Sequence, residues 1–266
     1  RQGAIGEDPL QHAPRGLAMT LQGGACRRDP EQDAFDLVAR AVLNLACVGA
    51  RPLGMSDGLN AGNPERGGVL NAFEAALRGL ARGALTFNCP ITGGNVSFYN
   101  ESDGRGIDLT PVLLVVGEIA DVSRVARSGF EAEGDTVALA EGTSEAVPVF
   151  LVRAIEAGLL RTAHDVSEGG LLATLAQCCV RSRHALGACM DGSEVASLEA
   201  HPRVADWARV IVAGDPAGWS GVRELAAAQG VTLRPLGQVV AEVLDVSPRV
   251  CCTVDELLRD FNQPML

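Results

Sequence analysis

The stretch Cys89-Pro-Ile-Thr-Gly-Gly-Asn-Val-Ser-Phe-Tyr-Asn-Glu101 gathers the residue types that phosphate and metal chemistry needs. Gly93 and Gly94 let the backbone take positive φ and approach a ligand closely. Asn95 follows, with a neutral amide oxygen that can join a magnesium shell. Ser97 adds a short hydroxyl that both donates and accepts. Glycines beside an amide and a hydroxyl suit a loop that cradles phosphate and metal. Out of context the same loop reads as a plain turn.

Two further stretches bear candidate groups. Ser56-Asp-Gly-Leu-Asn-Ala-Gly-Asn-Pro64 sets an acid, Asp57, at a strand end among glycines and asparagines. Taken alone it reads first as a turn whose Asp and Asn bond their own backbone. The functional alternative is a carboxylate holding a metal or a nucleotide. Ala163-His-Asp-Val-Ser-Glu-Gly-Gly-Leu171 is the other. Ser167 is expected to cap a helix from Glu168 to about Val180, with Gly169 and Gly170 in a first turn open to an anion. His164 and Asp165 just precede that positive end, making the five residues a possible phosphate site. A capping turn without a ligand reads equally well.

The elements that must position these groups follow from periodicity. Gly16 to Leu21 alternates as a short strand. Asp29 and Pro30 open a helix whose apolar face is Phe35, Val38, Val42, Leu45 and Ala46, and Gly49 stops it. Pro52 to Met55 is expected as a strand, and a second helix puts Val69, Phe73, Ala76, Leu77 and Leu80 on one face. Pro111 to Val116 is a strongly apolar strand. Beyond Asp121 the chain restarts, with strands at Asp135–Ala140, Val210–Ala213 and Leu233–Val240. Helices are expected at Val149–Leu160 and Gly221–Ala228, and Thr253 to Phe261 reads as an amphipathic turn or two. Alternating strands and helices predict layered α/β architecture, with domains at 1–120 and 121–266.

Bulk properties narrow the function. The 266 residues carry a net charge of -11, which disfavours non-specific binding to nucleic acid or an anionic membrane. Hydrophobic residues reach 47% but aromatics only 4%, so the core must rest on Ala, Val and Leu. None of the 8 cysteines forms a C-x-x-C pair, and no histidine stands at zinc-finger spacing. Reduced, mostly buried thiols in a cytoplasmic protein are expected. No apolar run reaches membrane-spanning length, and the N-terminus has no signal-peptide pattern.

Three stretches together resemble the second half of the phosphoribosylformylglycinamidine synthases. They are Asn44 to Glu65, Ile91 to Glu101 and His164 to Leu171, in the family's order and spacing. The resemblance extends from about Gly16 to the tail, and the Gly-Gly-Asn-Val-Ser-Phe-Tyr-Asn-Glu run is specific to this family. It implies a ferredoxin-like N-terminal ATP-binding domain and a C-terminal α/β domain of the aminoimidazole ribonucleotide synthetase type. The implied activity is ATP- and ammonia-dependent conversion of formylglycinamide ribonucleotide to the amidine in purine biosynthesis, with phosphorylation of the amide oxygen before ammonia displaces it. Carried over by position, Asp57 and Gly94 become ATP contacts, Asn95 a magnesium contact and Ser97 a substrate contact.

This chain resembles only the second half, so the family's catalytic histidines and phosphate-side lysine are absent, and the segment alone is expected to be inactive. Implied partners are the N-terminal half or a second copy, joined through residues 17 to 118, together with a glutaminase subunit and a small bridging subunit. Departures occur at Gly58 and Ala61, where the family's Cys-Leu-Asn-Phe pattern is lost, and at Glu141 to Val147, where the connector is short. Two alternatives remain: a non-catalytic module that holds nucleotide to brace the fold, and another kinase or synthetase of the same fold.

Overall fold

The computed structural model describes residues 14–200 and 207–262; most of the expected N-terminal loop, residues 1 to 13, lies outside them. The N-terminal part runs β1 (Gly16–Gly23), α1 (Pro30–Ala46), β2 (Ala50–Asn60), α2 (Val69–Thr86), β3 (Ile91–Ser97), a minimal hairpin of β4 (Glu101–Ser102) and β5 (Arg105–Gly106), then β6 (Thr110–Ile119). Its four-stranded sheet has the order β1-β6-β2-β3. β6 is antiparallel to both β1 and β2, while β3 runs parallel to β2 at the sheet's edge.

Both helices lie on one face of this sheet. α1 starts as its sequence dictates, with Asp29 accepting the Gln32 N–H at 3.1 Å and Pro30 in the first turn. α2 turns differently from expectation: Phe73, Ala76 and Leu80 are buried, but Leu77 is 40% exposed. The cause is the contact with α1. A Cβ on Gly79 would overlap the Glu31 carbonyl oxygen, and one on Gly83 would stand 2.8 Å from Val38 Cβ. The helices therefore touch along the glycine side of α2, which rotates Leu77 outward.

Two expected loops are strands. β2 continues through Ser56–Asn60, and Gly93 to Ser97 belong to β3. Gly93 and Gly94 are absent from the positive-φ glycines, so the expected left-handed cradle does not form. Ladder bonds from β2 to β6 on one side and β3 on the other outweigh the local turn chemistry of Ser, Asp, Gly and Asn.

The C-terminal part comprises β7 (Thr136–Thr143), α3 (Ala146–Glu156), β8 (Thr162–Asp165), α4 (Gly170–Val180), β9 (Leu186–Met190), α5 (Gly192–Glu199), β10 (Trp207–Gly214), α6 (Trp219–Ala228), β11 (Thr232–Ala241), β12 (Val243–Val246), β13 (Val250–Thr253) and α7 (Val254–Phe261). Its seven-stranded sheet has the order β13-β12-β9-β11-β7-β10-β8. Central strands are buried on both faces. Ala138, Ala140, Val210 and Val212 belong to one apolar cluster, and Val137, Leu139, Ile211 and Ala213 to another. α7 is a full helix closed by a capping box: Thr253 Oγ1 accepts the Glu256 N–H at 3.2 Å, and Glu256 Oε2 accepts the Thr253 N–H at 2.8 Å.

α1 also reaches the second sheet. Leu43, Ala46 and Cys47 share one cluster with Phe150, Leu151 and Ile155 of α3. Five cysteines, Cys26, Cys47, Cys89, Cys178 and Cys179, are buried, and all eight thiols are free. Burial pushes Cys26 and Cys89 to about 11, so these thiols stay protonated. Among the described residues no helix is long and apolar enough to cross a membrane.

The glycine contact between α1 and α2 yields a stability prediction. Gly79→Ala should destabilise the protein by about 1–3 kcal/mol through overpacking, despite alanine's better helix propensity. Equilibrium urea denaturation reads this directly. An unchanged or raised midpoint would show that the two helices are free to separate.

Candidate functional site

Asp57 and Gly94 are register partners on β2 and β3, Gly58 faces Asn95, and Asn60 faces Ser97. All four candidates at the edge of this sheet therefore sit on two adjacent strands. Their side chains divide between the faces, because residues alternate along a strand. Asp57 shares the helix-covered face with Met55 and Leu59, both buried. Asn95 and Ser97 project to the opposite face. Gly94 is required for another reason than turn geometry: a Cβ there would overlap Asp57 Oδ1. The missing side chain lets the carboxylate lie against the backbone of the edge strand.

Ser97 is held in place. Its Oγ stands 3.2 Å from the Asn100 amide nitrogen, and that nitrogen also donates to Ser97 O at 2.9 Å and Ala61 O at 3.0 Å. Asn100 thus ties the end of β3 to the segment after β2. Residue-by-residue reading passed over it, although it lies inside the Ser-Phe-Tyr-Asn-Glu run.

The face bearing Asn95 and Ser97 is open. Leu17 and Met19 are 70% exposed and Leu21 67%. Register carries one row across the sheet from Leu21 through Leu114 and Ser56 to Gly93. The apolar part of this face is Leu17, Met19 and Leu21 on β1 with Leu114 on β6.

The His164–Gly170 turn lies in a separate place, at the end of β8. A cleft of ≈ 590 Å³ separates it from α1, with Asp33 and Arg40 on one wall and Ser144, Ser167, Glu199 and Arg209 on the other. Ser167 does not cap α4. The helix begins at Gly170, and its N-cap is Gly169 at φ +90, which has no side chain to cap it. Gly170 is left-handed too, at φ +78, so two successive glycines delay the helix start. The expected anion position is filled from within, since Glu199 Oε1 accepts the Leu172 N–H at 2.6 Å. His164 is buried, with Nδ1 3.0 Å from Asp165 O and Nε2 without a partner. Asp165 lines the cleft. Ser144, Glu199 and Arg209 lie in segments to which sequence reading gave no role.

A chain of this kind, with two helices backing a four-stranded sheet and a larger mixed sheet after it, has the AIR synthase related architecture. Residues 12–119 match the family "AIR synthase related protein, N-terminal domain". The subunit PurL of phosphoribosylformylglycinamidine synthase from Anaeromyxobacter dehalogenans (strain 2CP-C) is 33% identical over 294 aligned positions, covering 95% of this chain and 38% of the relative. That from Moorella thermoacetica is 38% identical over 193 positions, 61% of this chain. This chain is thus similar to part of PurL over most of its own length, and its N-terminal part to the AIR synthase related domain. It spans about two fifths of the length of the first of these relatives. The 294 positions exceed the 266 residues of the chain, so that relative carries extra segments within the matched span.

Solved structures agree on the fold. Thermotoga maritima PurL complexed with ATP superposes with a TM-score of 0.75 at 16% identity, covering 92% of this chain and 44% of that one. Thiamine-monophosphate kinase from Stenotrophomonas maltophilia K279a gives 0.64 at 17% identity, covering 88% and 84%.

Burial raises the Asp57 carboxyl above its ordinary value, and a backbone hydrogen bond partly offsets this. A raised acid penalises the charged folded state. The penalty is absent below the unfolded pKa, develops as pH rises towards the folded pKa, and is complete above it. Asp57→Asn should therefore be more stable than the parent near pH 7 and indistinguishable from it near pH 3, as measured by denaturant melts at about those two values. A difference of equal size at both would contradict the assigned burial.

Proposed function

We propose that this chain is the second half of a phosphoribosylformylglycinamidine synthase, divided into domains at 1–120 and 121–266. It contributes half of a composite site for ATP, magnesium and formylglycinamide ribonucleotide. The observation that carries the reading is the β2–β3 edge. Gly94 leaves its backbone bare beneath Asp57, while Asn95 and Ser97 stand on the same open face as the apolar row. A ligand reaching both faces would wrap the edge strand, with Asp57 and Gly94 towards ATP and Ser97 towards the ribonucleotide.

Magnesium fits this donor set in a limited way. Among the described residues no cluster of three or more His, Cys, Asp or Glu could hold a metal ion. Mg²⁺ commonly takes only one or two protein oxygens and fills its shell with phosphate and water. Asn95 would supply one such oxygen, and the bound ion would neutralise phosphate charge. The chain itself positions the amide, the hydroxyl and the carboxylate on a rigid sheet edge.

The rest of the site would come from across the open face. Leu17, Met19 and Leu21 favour a partner there over solvent, since burying an exposed leucine side chain is worth about 1.5–3 kcal/mol. The partner is the N-terminal half of the enzyme or a second copy of this chain, with ammonia delivered by a glutaminase subunit through a complex that includes a small bridging subunit. The setting is cytoplasmic.

Two experiments test this reading. The isolated chain should show no ATP-dependent amidine formation with ammonia, and should gain activity only with the other half. Calorimetry should show Mg-ATP binding in the reconstituted enzyme weakened at least about tenfold by Asp57→Ala or Asn95→Ala. Robust turnover by the chain alone would refute the division of roles. Loss of nucleotide binding on Ser167→Ala or Gly169→Ala instead would favour a nucleotide that only braces the fold. For the interface, Met19→Asp should abolish association seen by sedimentation while the chain stays folded. Association that survives it would place the partner elsewhere.

A further inference from the structure

Tyr99 stands just past the carboxyl end of β3 with a strained backbone. Its φ is +60, in the left-handed region that a bulky residue enters only under constraint. The constraint is a pair of backbone hydrogen bonds. The Tyr99 N–H donates to Gly62 O and the Asn100 N–H to Ala61 O, both at 3.1 Å. The neighbours of Tyr99 turn inward. The Phe98 ring centroid lies 4.9 Å from that of Phe73 on α2, and the Asn100 amide donates to Ala61 O and Ser97 O. Tyr99 between them is 58% exposed, so the strain is not repaid by packing.

What the strained turn does achieve is to set the ring beside a carboxylate. Tyr99 Oη lies 3.5 Å from Glu65 Oε1, long for an O–H···O bond, so neither group is saturated by the other. Glu65 is exposed, in the segment after β2, and Asn63 Oδ1 fixes that segment by accepting the Glu65 N–H at 2.9 Å. The adjacent cation is directed elsewhere. Arg66 Nη2 is 3.1 Å from Glu101 Oε1, and Nη1 donates to Gly104 O at 3.4 Å, both in the β4–β5 hairpin. Among the described residues Glu65 has no ion pair, so its carboxylate keeps acceptor capacity for a ligand.

The place in the fold suits a small ligand. β2 and β3 are the parallel pair of this sheet, and Glu65 and Tyr99 follow their respective carboxyl ends, where ligands of parallel strands gather. Ser97 is two residues before Tyr99. The pair stands at the opposite edge of the sheet from the exposed Leu17, Met19 and Leu21 of β1. An aromatic face beside a free carboxylate matches a sugar: the ring covers C–H bonds, and the two carboxylate oxygens accept protons from neighbouring hydroxyls. A carboxylate on the ribose hydroxyls is how nucleotide-binding sheets select ribose.

We propose that Tyr99 and Glu65 hold the ribose of the ribonucleotide, with the Tyr99 ring against its C–H face and Glu65 accepting from its 2- and 3-hydroxyls. This rests on the reading that the β2–β3 edge receives the ribonucleotide, and it adds what selects the sugar. The left-handed backbone at Tyr99 is kept because it presents the ring to the ligand.

Tyr99 is the chain's one tyrosine, so its ring gives a single set of NMR signals. The experiment titrates the full chain, carbon-13 labelled in tyrosine, with ribose 5-phosphate and with 2-deoxyribose 5-phosphate. Ribose 5-phosphate should shift the ring signals, and the deoxy sugar should bind about tenfold more weakly. Glu65→Gln should abolish that difference. Tyr99→Gly relieves the left-handed φ, so it should melt no lower than the parent while losing about fivefold in affinity for ribose 5-phosphate, read by saturation-transfer NMR. Ring signals that stay fixed overturn the proposal, as does equal affinity of the parent for the two sugars. Ser97→Ala separates this idea from the reading beneath it. If Ser97→Ala weakens ribose 5-phosphate binding while the ring signals stay fixed, the edge keeps its ligand and Tyr99 loses its role. If Ser97→Ala changes nothing while the ring signals shift, Ser97 loses its role and Tyr99 keeps its own.

Discussion

The packing of α1 on both parts of the molecule is the constraint on which the rest depends. Ala34, Leu37, Val38, Ala41, Val42 and Leu45 pack in the cluster beneath the N-terminal sheet, while Leu43, Ala46 and Cys47 enter the core around α3 and β10. An amphipathic helix normally buries one stripe. This one buries a second near its C-terminal end and so fixes the two sheets relative to each other. The cleft follows from it, because Asp33 and Arg40 of α1 form the wall facing Ser167 and Glu199. Burial keeps the joint chemically quiet: Cys47, wholly enclosed there, has its thiol pushed well above the usual value, with Asp165 adding to the effect.

The edge of the N-terminal sheet shows how one short motif can serve two surfaces. A parallel pair puts register partners on the same face, so a one-residue step from Gly94 to Asn95 crosses the sheet. Asp57 then faces the layer of helices, where partial burial raises its pKa, while Asn95 and Ser97 face outward. Such division would serve a site whose parts come from two chains or two halves. The helix side would fix the local geometry, and the outward side would meet a partner. Asn100 adds rigidity, since its amide holds the Ser97 hydroxyl and two backbone carbonyls together.

Much of this was legible in the sequence, and the exceptions have physical causes. α1 was readable because its cap, first-turn proline, apolar stripe and terminal glycine all agree. The layered α/β class and the central strands β7, β10 and β11 were readable from apolar runs. β9, β12, β13 and α5 were not. Leu186–Met190 contains Gly, Ala and Cys without alternation, and its pairing depends on strands far along the chain. β3 was misread as a loop because two glycines signal a turn locally, whereas the space they leave is filled by Asp57 from another strand. Ser167 looked like a cap because only the structure reveals that Gly169 and Gly170, at the start of α4, are both left-handed. Glu199 could not have been found, since its partner, the N–H of Leu172, lies in an earlier element.

The two candidate regions differ in what closes them. At the sheet edge Leu17, Met19 and Leu21 are exposed, and a macromolecular surface would cover them through burial of area. At the start of α4 the closing group is part of the chain: Glu199 accepts the Leu172 N–H, and Arg209 tethers it by holding the adjacent carbonyl. Internal tethering raises the effective concentration of the carboxylate at that spot. The turn after β8 is thus closed from within, whereas the sheet edge is left for something outside this chain to cover.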